Sequence, residues 1–380
     1  MWLTGGLSPC ILFSGDDMKK TTLILLFLLI AALLCACGGQ TASEPTPEPR
    51  PSPTPEPPRS IVLTDESAEE ILALADCGYL ERIDASASHE YEALLNLSQL
   101  LPDCEITWCY EFQGLSYPSD TEALTITDPA GVAEALRYLP GLKTVDMSAC
   151  DLSVEEMDQL SDLRPDVDFL WTVRFGNWEV RSDITCFSSL RTGTEGSHRY
   201  TSEELYPLLR FCRHLRALDL GHNDLTDISL IGEMRELQVL ILADNPNLVD
   251  ISPLAGLEEL QYIELFLCWD IADFSPLENL SKMQDLNLSY CRNLEDIGFI
   301  DNMPDFENGW FRGTKVDSQD ITPYTESRPE ITFVYGNPSD ISAVCCGWRS
   351  TDRNTAIRNA FTNWRQVLDY RHWDDIDFLN

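Results

Sequence analysis

The chain has 380 residues, 44% of them hydrophobic, which is long and apolar enough for two ordinary domains or one long solenoid. Asp and Glu number 63 against 26 Lys and Arg, so the formal net charge is −37. This excess of acid argues against nucleic acid as a partner, because phosphate contacts need a basic surface. It also argues against direct binding to an anionic lipid surface, and it favours partners of basic character.

A secretory signal is predicted near the N-terminus. Met18-Lys19-Lys20 is followed by the apolar run Leu23–Leu34, whose 12 residues are too few to span a bilayer, since a span needs about 20. The next residues are Leu34-Cys35-Ala36-Cys37, and this ending resembles a bacterial lipoprotein box.

The resemblance implies cleavage after residue 36 and attachment of diacylglycerol to the sulfur of Cys37. The protein would then be lipid-anchored to the outer face of the cytoplasmic membrane, at the bacterial cell surface. Cys35 fits less well, because Leu34 would stand directly before the cleavage site. An uncleaved signal anchor is the alternative. Residues 1–17 have no role in this signal, and we expect them to be an over-extended reading frame.

Residues 37–60 are predicted to be a linker. Eight prolines lie between Pro45 and Pro58, in strict alternation from Pro45 to Pro55. Such a tract adopts extended polyproline II, and about twenty residues of it reach roughly 60 Å. We expect this spacer to carry a folded domain away from the lipid.

Residues 61–176 contain a duplication. Ile61–Gly114 matches Leu124–Gly176 at an offset of 62–63 residues. Each block predicts a strand, helix, strand, helix and strand, with the helices as crossover connections on the convex side. The helices are expected at Ala68–Ala75, Tyr91–Leu100, Gly131–Tyr138 and Val154–Leu163. We interpret the blocks as long repeats continuous with those that follow; a separate small α/β domain is the alternative.

Residues 177–336 are predicted to form shorter repeats. The pattern L-x-x-L-x-L-x-x-(N/C), with Met or Ile at some Leu positions, recurs at intervals of 22, 23 and 23 residues. Its four copies are Leu215–Asn223, Leu237–Asn245, Leu260–Cys268 and Met283–Cys291. Two of them are followed by a D-(I/F)-S-P-L ending, at Asp250–Leu254 and Asp273–Leu277. Together these features resemble the internalin-like class of bacterial leucine-rich repeats.

The resemblance implies an α/β solenoid, that is, a leucine-rich-repeat horseshoe with a parallel concave sheet and helices or 3₁₀ turns on the convex side. The alternation supports this independently, because it places the inner leucines on one face of each strand, and one strand cannot bury that face alone. Stacking is therefore expected to align one residue from each repeat in a column: Leu218, Leu240, Ile263 and Leu286.

The last position of the pattern carries Asn or Cys. Asn223 and Asn245 suit it, because a side-chain amide can pair with backbone groups that the bend leaves without partners. Cys150, Cys268 and Cys291 are expected to replace the amide as small, buried, free thiols.

The end of the chain is predicted to close the solenoid. Arg328–Gly336 repeats the pattern of Arg164–Phe169 and is expected to contain the last strand. Residues 337–380 then form a cap or tail, with a helix over Ala356–Tyr370 whose apolar residues recur at helical spacing. We expect this helix to cover the open end of the stack; a partner-binding helix is the alternative.

No catalytic residue, metal site or cofactor is predicted. The five His residues lack metal-ligand spacing, and the chain has no Gly-rich phosphate loop and no H-E-x-x-H or G-x-S-x-G motif. The short acidic cluster Asp374–Asp377 lacks the spacing of a calcium loop. The sequence therefore predicts a recognition module and not an enzyme.

The predicted binding site is the outward face of the concave sheet. Apolar and aromatic side chains lie there with acids around them, which is a composition typical of protein interfaces. The candidate residues are Asp219, Val239, Ile241, Tyr262, Glu264, Phe266, Trp269 and Asp285. We expect this patch to bind a protein or peptide of basic character and no nucleic acid, while the lipid anchor alone contacts the membrane.

Two alternatives stay open for this patch. One is that neighbouring side chains or the C-terminal segment cover it. The other is a carbohydrate or cell-wall ligand, whose sugar rings would stack on the aromatic residues.

Overall fold

The structure, a computed structural model, describes residues 58–175, 178–189, 198–336 and 351–367. The predicted signal peptide, Cys37, most of the linker and most of the C-terminal tail lie outside these residues. Two helix-containing blocks are followed by a seven-stranded parallel sheet. None of the described helices combines the length and the apolarity needed to cross a bilayer.

The first block alternates strands and helices and ends in a hairpin. Its elements are β1 (Ser60–Val62), α1 (Ala68–Ala73), β2 (Arg82–Ala85), α2 (Tyr91–Leu100), β3 (Glu105–Phe112) and β4 (Leu115–Pro118). The first three strands pair in parallel, and β4 folds back antiparallel on β3. The block has a core of its own, which includes Ile83, Leu94 and Trp108.

The second block repeats this order of elements. They are β5 (Ala123–Thr125), α3 (Val132–Tyr138), β6 (Thr144–Asp146), α4 (Val154–Leu163), β7 (Asp168–Leu170), β8 (Thr172–Phe175) and β9 (Trp178–Arg181). Strands β5, β6 and β7 pair in parallel, and β8 and β9 form a hairpin. The core of this block is continuous with that of the seven-stranded sheet.

The two blocks share a hydrogen bond at corresponding positions. The Ser119 hydroxyl accepts the Trp108 amide at 3.2 Å, and the Ser182 hydroxyl accepts the Trp171 amide at 2.8 Å. The closing hairpins were not predicted. The turn of the first one passes through Gln113 and Gly114, both with a left-handed φ, which suits a two-residue hairpin loop. The blocks also pair their strands in separate sheets, so the long parallel sheet begins only after them.

Seven strands form the main sheet, in chain order and all parallel. They are β10 (Cys186–Ser188), β11 (Ala217–Asp219), β12 (Val239–Ile241), β13 (Tyr262–Glu264), β14 (Asp285–Asn287), β15 (Asn308–Arg312) and β16 (Thr332–Gly336). The predicted column is confirmed, because its four residues pair directly across strands β11 to β14 and each is 0% exposed.

Each repeat returns through a short helical segment. These segments are α5 (Ser202–Leu209), the 3₁₀ turns Ile231–Glu233, Ser252–Gly256, Ser275–Asn279 and Gly298–Asn302, and α6 (Ser318–Ser327). An Asp carboxylate begins each 3₁₀ turn by accepting the N–H two residues further on, at 2.8–2.9 Å. These bonds lower the pKa of Asp250 and of Asp273. A recurring capping role therefore accounts for part of the excess of acid.

The Asn position of the repeat bridges two neighbouring repeats. Asn245 Nδ2 donates to the carbonyls of Leu220 and Leu242 at 3.0 and 2.9 Å, and its Oδ1 accepts the Leu225 amide at 3.1 Å. In the next repeat the Cys268 thiol donates to the Leu242 carbonyl at 3.2 Å. Burial raises the pKa of that thiol to about 12. The predicted amide bridges and buried free thiols are both confirmed.

One residue before this position, the chain turns through a left-handed corner. Five consecutive repeats place a residue there with φ between 57° and 68°: His222, Asp244, Leu267, Tyr290 and Gly313. Such a φ costs a non-glycine residue roughly 1–2 kcal/mol. In each case the N–H of the corner residue donates to a carbonyl of the following repeat, at 2.6–3.0 Å. Stacking therefore holds the corner, which explains why glycine is not required at four of the five positions.

Two arginines confirm the predicted kinship of Arg164 and Arg328. The Arg164 guanidinium donates to carbonyls of residues 136–142, and Arg328 donates to those of Met303, Pro304 and Phe306. In both places the arginine pairs with backbone groups at the end of the preceding repeat. β16 follows Arg328 as the predicted last strand.

The bridge at Asn245 gives a test of the repeat architecture. Asn245→Ala should lower the free energy of unfolding by about 2–4 kcal/mol, because buried backbone groups lose their partners. Asn245→Cys should cost about half as much, since a thiol at this position donates to one carbonyl. Urea denaturation measures both, with Val249→Ala, at a side chain 54% exposed, as the control. Equal losses for the Ala and Cys variants would contradict the bridging role.

Candidate functional site

The outward residues of the main sheet form two rows, which we call the concave face. The first row is Cys186, Ala217, Val239, Tyr262, Asp285 and Asn308, and the second is Ser188, Asp219, Ile241, Glu264, Asn287 and Trp310. They alternate along each strand with the inward residues of the core. The middle of the face is apolar, with Val239 and Ile241 side by side on one strand, and acids lie on the neighbouring strands.

A C-terminal helix, α7 (Asp352–Val367), packs on this face. At its start, Arg353 donates to Asp285 of β14 at 2.7 Å and to Glu307, just before β15, at 2.9 Å. The next residue, Asn354, donates to the hydroxyl of Tyr262 and, at 3.1 Å, to Glu264. Two consecutive helix residues therefore bind four side chains of the sheet.

The helix crosses the strands. Its first turn binds β13 and β14, and the helix also contacts β10, four strands away from β14. Sixteen helical residues extend about 24 Å, and four strand spacings extend about 19 Å, so the helix is long enough to reach from β14 to β10. Ile357 and Phe361, four and eight residues after Arg353, are 0% and 1% exposed and join the same core as Val239.

This packing corresponds to the alternative in which the C-terminal segment covers the candidate patch, and not to a patch that faces solvent. Five of its eight residues are buried: Asp219, Val239, Ile241, Tyr262 and Asp285. Glu264, Phe266 and Trp269 are half-buried. These positions lie on the outward face of the sheet, and α7 bonds directly to Asp285, Tyr262 and Glu264. Whether they bind a ligand stays a prediction.

The expected role of the C-terminal helix is corrected. It was expected to cover the open end of the stack, over Ala356–Tyr370. The helix instead begins at Asp352 and lies across the concave face. There Arg353 donates to the Asp285 carboxylate and Asn354 donates to the Tyr262 hydroxyl. The open end at β16 is a different part of the sheet.

Asp285 carries the buried charge at this contact. Its Oδ1 accepts from Asn308 at 2.6 Å and from Arg353 at 2.7 Å. Loss of water raises the pKa of Asp285, and these two bonds oppose the rise. Because the folded pKa lies above the ordinary value, the folded protein takes up this proton more readily than the unfolded chain as the pH falls. The ionised carboxylate therefore costs stability at neutral pH, and Arg353 offsets part of that cost.

Beside the face lies a group of side chains that we call the aromatic rim: Phe266, Trp269, Tyr290 and Arg292. The Phe266 and Tyr290 rings meet edge to face at 5.9 Å, and the Arg292 guanidinium stacks 3.7 Å from the centre of the Trp269 ring. Arg292 is exposed and the three aromatic residues are half-buried. Phe266 and Trp269 of the rim, together with Glu264, are therefore the residues of the predicted patch that retain access to solvent.

Known proteins share this architecture. A family model described as leucine-rich repeats in two copies matches residues 213–256. This stretch contains β11, β12 and the 3₁₀ turns Ile231–Glu233 and Ser252–Gly256. The fold is a leucine-rich-repeat solenoid. Solenoids of this kind generally serve as recognition modules, because stacked repeats present one extended surface.

Solved structures with similar repeats include bacterial ones. An internalin from Listeria monocytogenes is 25% identical, with 47% of this chain and 54% of that chain covered and a TM-score of 0.35. Internalin C2 of the same species is 21% identical, covering 57% and 77%, with a TM-score of 0.31. A leucine-rich-repeat protein of Leptospira interrogans is 12% identical, covering 71% and 75%, with a TM-score of 0.27. This chain thus spans about half the length of the first internalin. A search of the curated proteins finds no match.

Arg353 and Asn354 were missed as site residues. The signal lay in the sequence, because Arg353, Ile357 and Phe361 share one helix face and a basic residue suits a sheet that carries acids. Their partners lie 46 to 92 residues away in sequence, and local patterns do not reveal such contacts.

The ion pair gives a direct test of the contact. Arg353→Ala should lower the free energy of unfolding by about 3 kcal/mol, because Asp285 stays buried without its charged partner. Arg358→Ala, at an exposed arginine of the same helix, should change it by less than about 0.5 kcal/mol. Urea denaturation of both variants measures the difference in their free energies of unfolding. Equal effects would show that Arg353 contributes nothing beyond a solvated charge.

Proposed function

We propose that this protein is a lipid-anchored, non-catalytic recognition protein of the bacterial cell surface that binds a protein or peptide of basic character. The solenoid supplies the recognition surface, and the lipid at Cys37 with its proline-rich spacer presents that surface to the outside. The partner would engage the concave face and the adjoining aromatic rim.

One observation carries the proposal: the concave face already holds a polypeptide segment through specific contacts. Asp285 and Glu307 bind an arginine, Tyr262 and Glu264 bind an amide, and apolar side chains bury Ile357 and Phe361. A face built in this way can recognise a basic, partly apolar segment. The net charge of −37 favours the approach of such a partner over distance.

The anchor is supported by the sequence before the described residues. The basic start, the short apolar run and the Leu-Cys-Ala-Cys ending favour lipidation, and two or more acyl chains hold a protein on a membrane stably. The proline-rich spacer then gives the solenoid a reach of roughly 60 Å from the lipid.

Matched cysteine variants test the anchor. Cys37→Ser should abolish incorporation of labelled palmitate and release the protein from the membrane fraction. Cys35→Ser removes a thiol only two residues earlier and should leave both measurements unchanged. The reverse pattern would place the lipid elsewhere, and membrane retention in both variants would favour the uncleaved signal anchor.

Site-specific photocrosslinking on intact cells tests the recognition surface. A photoreactive phenylalanine analogue at Phe266 should give a discrete protein adduct that weakens at high salt, because the proposed attraction is partly ionic. The same analogue at exposed Val249, on the return half of a repeat, should give none. If Phe266 gives no adduct, or if both positions give the same adduct, a partner bound at the aromatic rim and the adjoining concave face is ruled out.

The aromatic rim also supports a second candidate, a carbohydrate or cell-wall ligand. Trp269 and Phe266 are half-buried aromatic side chains beside the concave face, and flat rings of this kind can stack on sugars. Binding of purified wall glycan that persists at high salt and disappears in Trp269→Ala would favour this candidate over the protein partner.

A further inference from the structure

We propose that the concave face is a receptor for an amphipathic helix with an Arg-Asn pair in its first turn, and that α7 is a built-in occupant which the partner's helix must displace. This inference rests on the proposed function and names the partner of the same site. The required spacing is the one α7 shows: arginine, asparagine directly after it, and apolar residues four and eight positions after the arginine.

The polar half of the contact selects an arginine. The Arg353 side chain is 16% exposed and reaches two carboxylates at once, Asp285 at 2.7 Å and Glu307 at 2.9 Å. A guanidinium has donors that point in two directions, so it can serve both acids, whereas an ammonium is a single point charge. Asn354, which is fully buried, fixes the register by donating to Tyr262 and Glu264.

The apolar half selects a helix. Ile357 and Phe361 are buried and lie one and two turns after Arg353, on the same helix face. An extended peptide would present residues four and eight positions apart on a much longer spacing, because its rise per residue is about twice that of a helix. The helix is also long enough to cover the distance between β14 and β10.

Several features indicate that α7 is a replaceable occupant. Among the described residues at this contact, three buried polar atoms have no hydrogen-bond partner: Asp285 Oδ2, Arg353 Nε and Asn354 Oδ1. A buried polar atom left in this way costs about 1–3 kcal/mol. Of these atoms, Asp285 Oδ2 stays on the face when α7 leaves, and a partner helix with a donor that reaches it would bind better than α7 does.

The sequence of α7 points the same way. Five of its sixteen residues are Asn or Thr: Asn354, Thr355, Asn359, Thr362 and Asn363. Both residue types are poor helix formers, and a short helix of this composition is marginal in isolation. The helix therefore depends on its contact with the sheet for stability. We expect it to unfold when it leaves the sheet.

Peptide competition with the full-length protein tests the inference. The probe is a fluorescent peptide of residues 351–368, titrated into the wild type and into Arg353→Ala, with fluorescence anisotropy as the readout. The wild type should bind it weakly, because its own helix occupies the face at high effective concentration. Arg353→Ala, whose own helix is loosened, should bind the peptide at least roughly tenfold more tightly. Arg358→Ala should behave as the wild type.

Further variants keep the result interpretable. A peptide with alanine in place of its first arginine, Arg353, should lose the binding to the Arg353→Ala protein. Asn354→Ala, a milder change in the protein, should give a smaller gain in affinity for the intact peptide. If neither protein variant binds the peptide more tightly than the wild type, or if both variants fail to fold, α7 is a fixed part of the core and the inference is overturned.

This outcome is separable from a failure of the proposed function. Peptide competition uses purified protein and needs no external partner, whereas crosslinking from Phe266 needs one. If the peptide binds but Phe266 gives no adduct on cells, the concave face is a site for a helix and the proposed surface partner is contradicted. If Phe266 gives an adduct but the peptide does not bind, the partner binds at the aromatic rim and α7 is not displaced.

Discussion

The structure depends on one constraint, which is that a three-residue strand cannot bury its apolar side alone. Leu240 has water on both sides unless a neighbouring repeat supplies Leu218 and Ile263 at the same height. The remaining features of the repeat serve this stacking. The amide of Asn245 pairs with carbonyls of two repeats, and the left-handed corners are held by N–H groups that donate to the next repeat. The residues that define the repeat in the sequence are thus the same residues that make the contacts between neighbouring repeats.

Stacking buries the inner side of the sheet but does not cover the outer side. Val239, Ile241 and Tyr262 are too apolar to remain in water without a cost, and Asp219 and Asp285 are too polar to be covered without partners. Helix α7 meets both demands, with Ile357 and Phe361 for the apolar positions and Arg353 for Asp285. This arrangement leaves buried polar atoms without partners, among them Asp285 Oδ2 on the face, and this imperfection is the basis for the proposed displacement by a better-matched helix.

The sequence predicted the features that local periodicity sets and missed those that depend on contacts between separate segments. The inward column, the Asn bridges, the thiols at Cys268 and Cys291 and the helices of the two blocks all follow from local periodicity. The candidate patch was assigned to the correct face because strand alternation is a local rule. Its covering by the C-terminal segment was an open alternative that local patterns could not decide, since it depends on the contact between Arg353 and Asp285 over 68 residues of sequence. The hairpin after Gln113 and the non-glycine corners were likewise missed, because each is stabilised by a contact outside its own segment.

Peptide-resolved hydrogen exchange of the full-length protein tests the central claim most directly, which is that α7 docks on a solenoid that is stable without it. Amides of α7 should exchange through an opening of lower free energy than amides of β11 to β14. Arg353→Glu should abolish the protection of α7 and leave that of the strands unchanged. Loss of protection in the strands together with the helix would contradict the account, because α7 would then be part of one cooperative core.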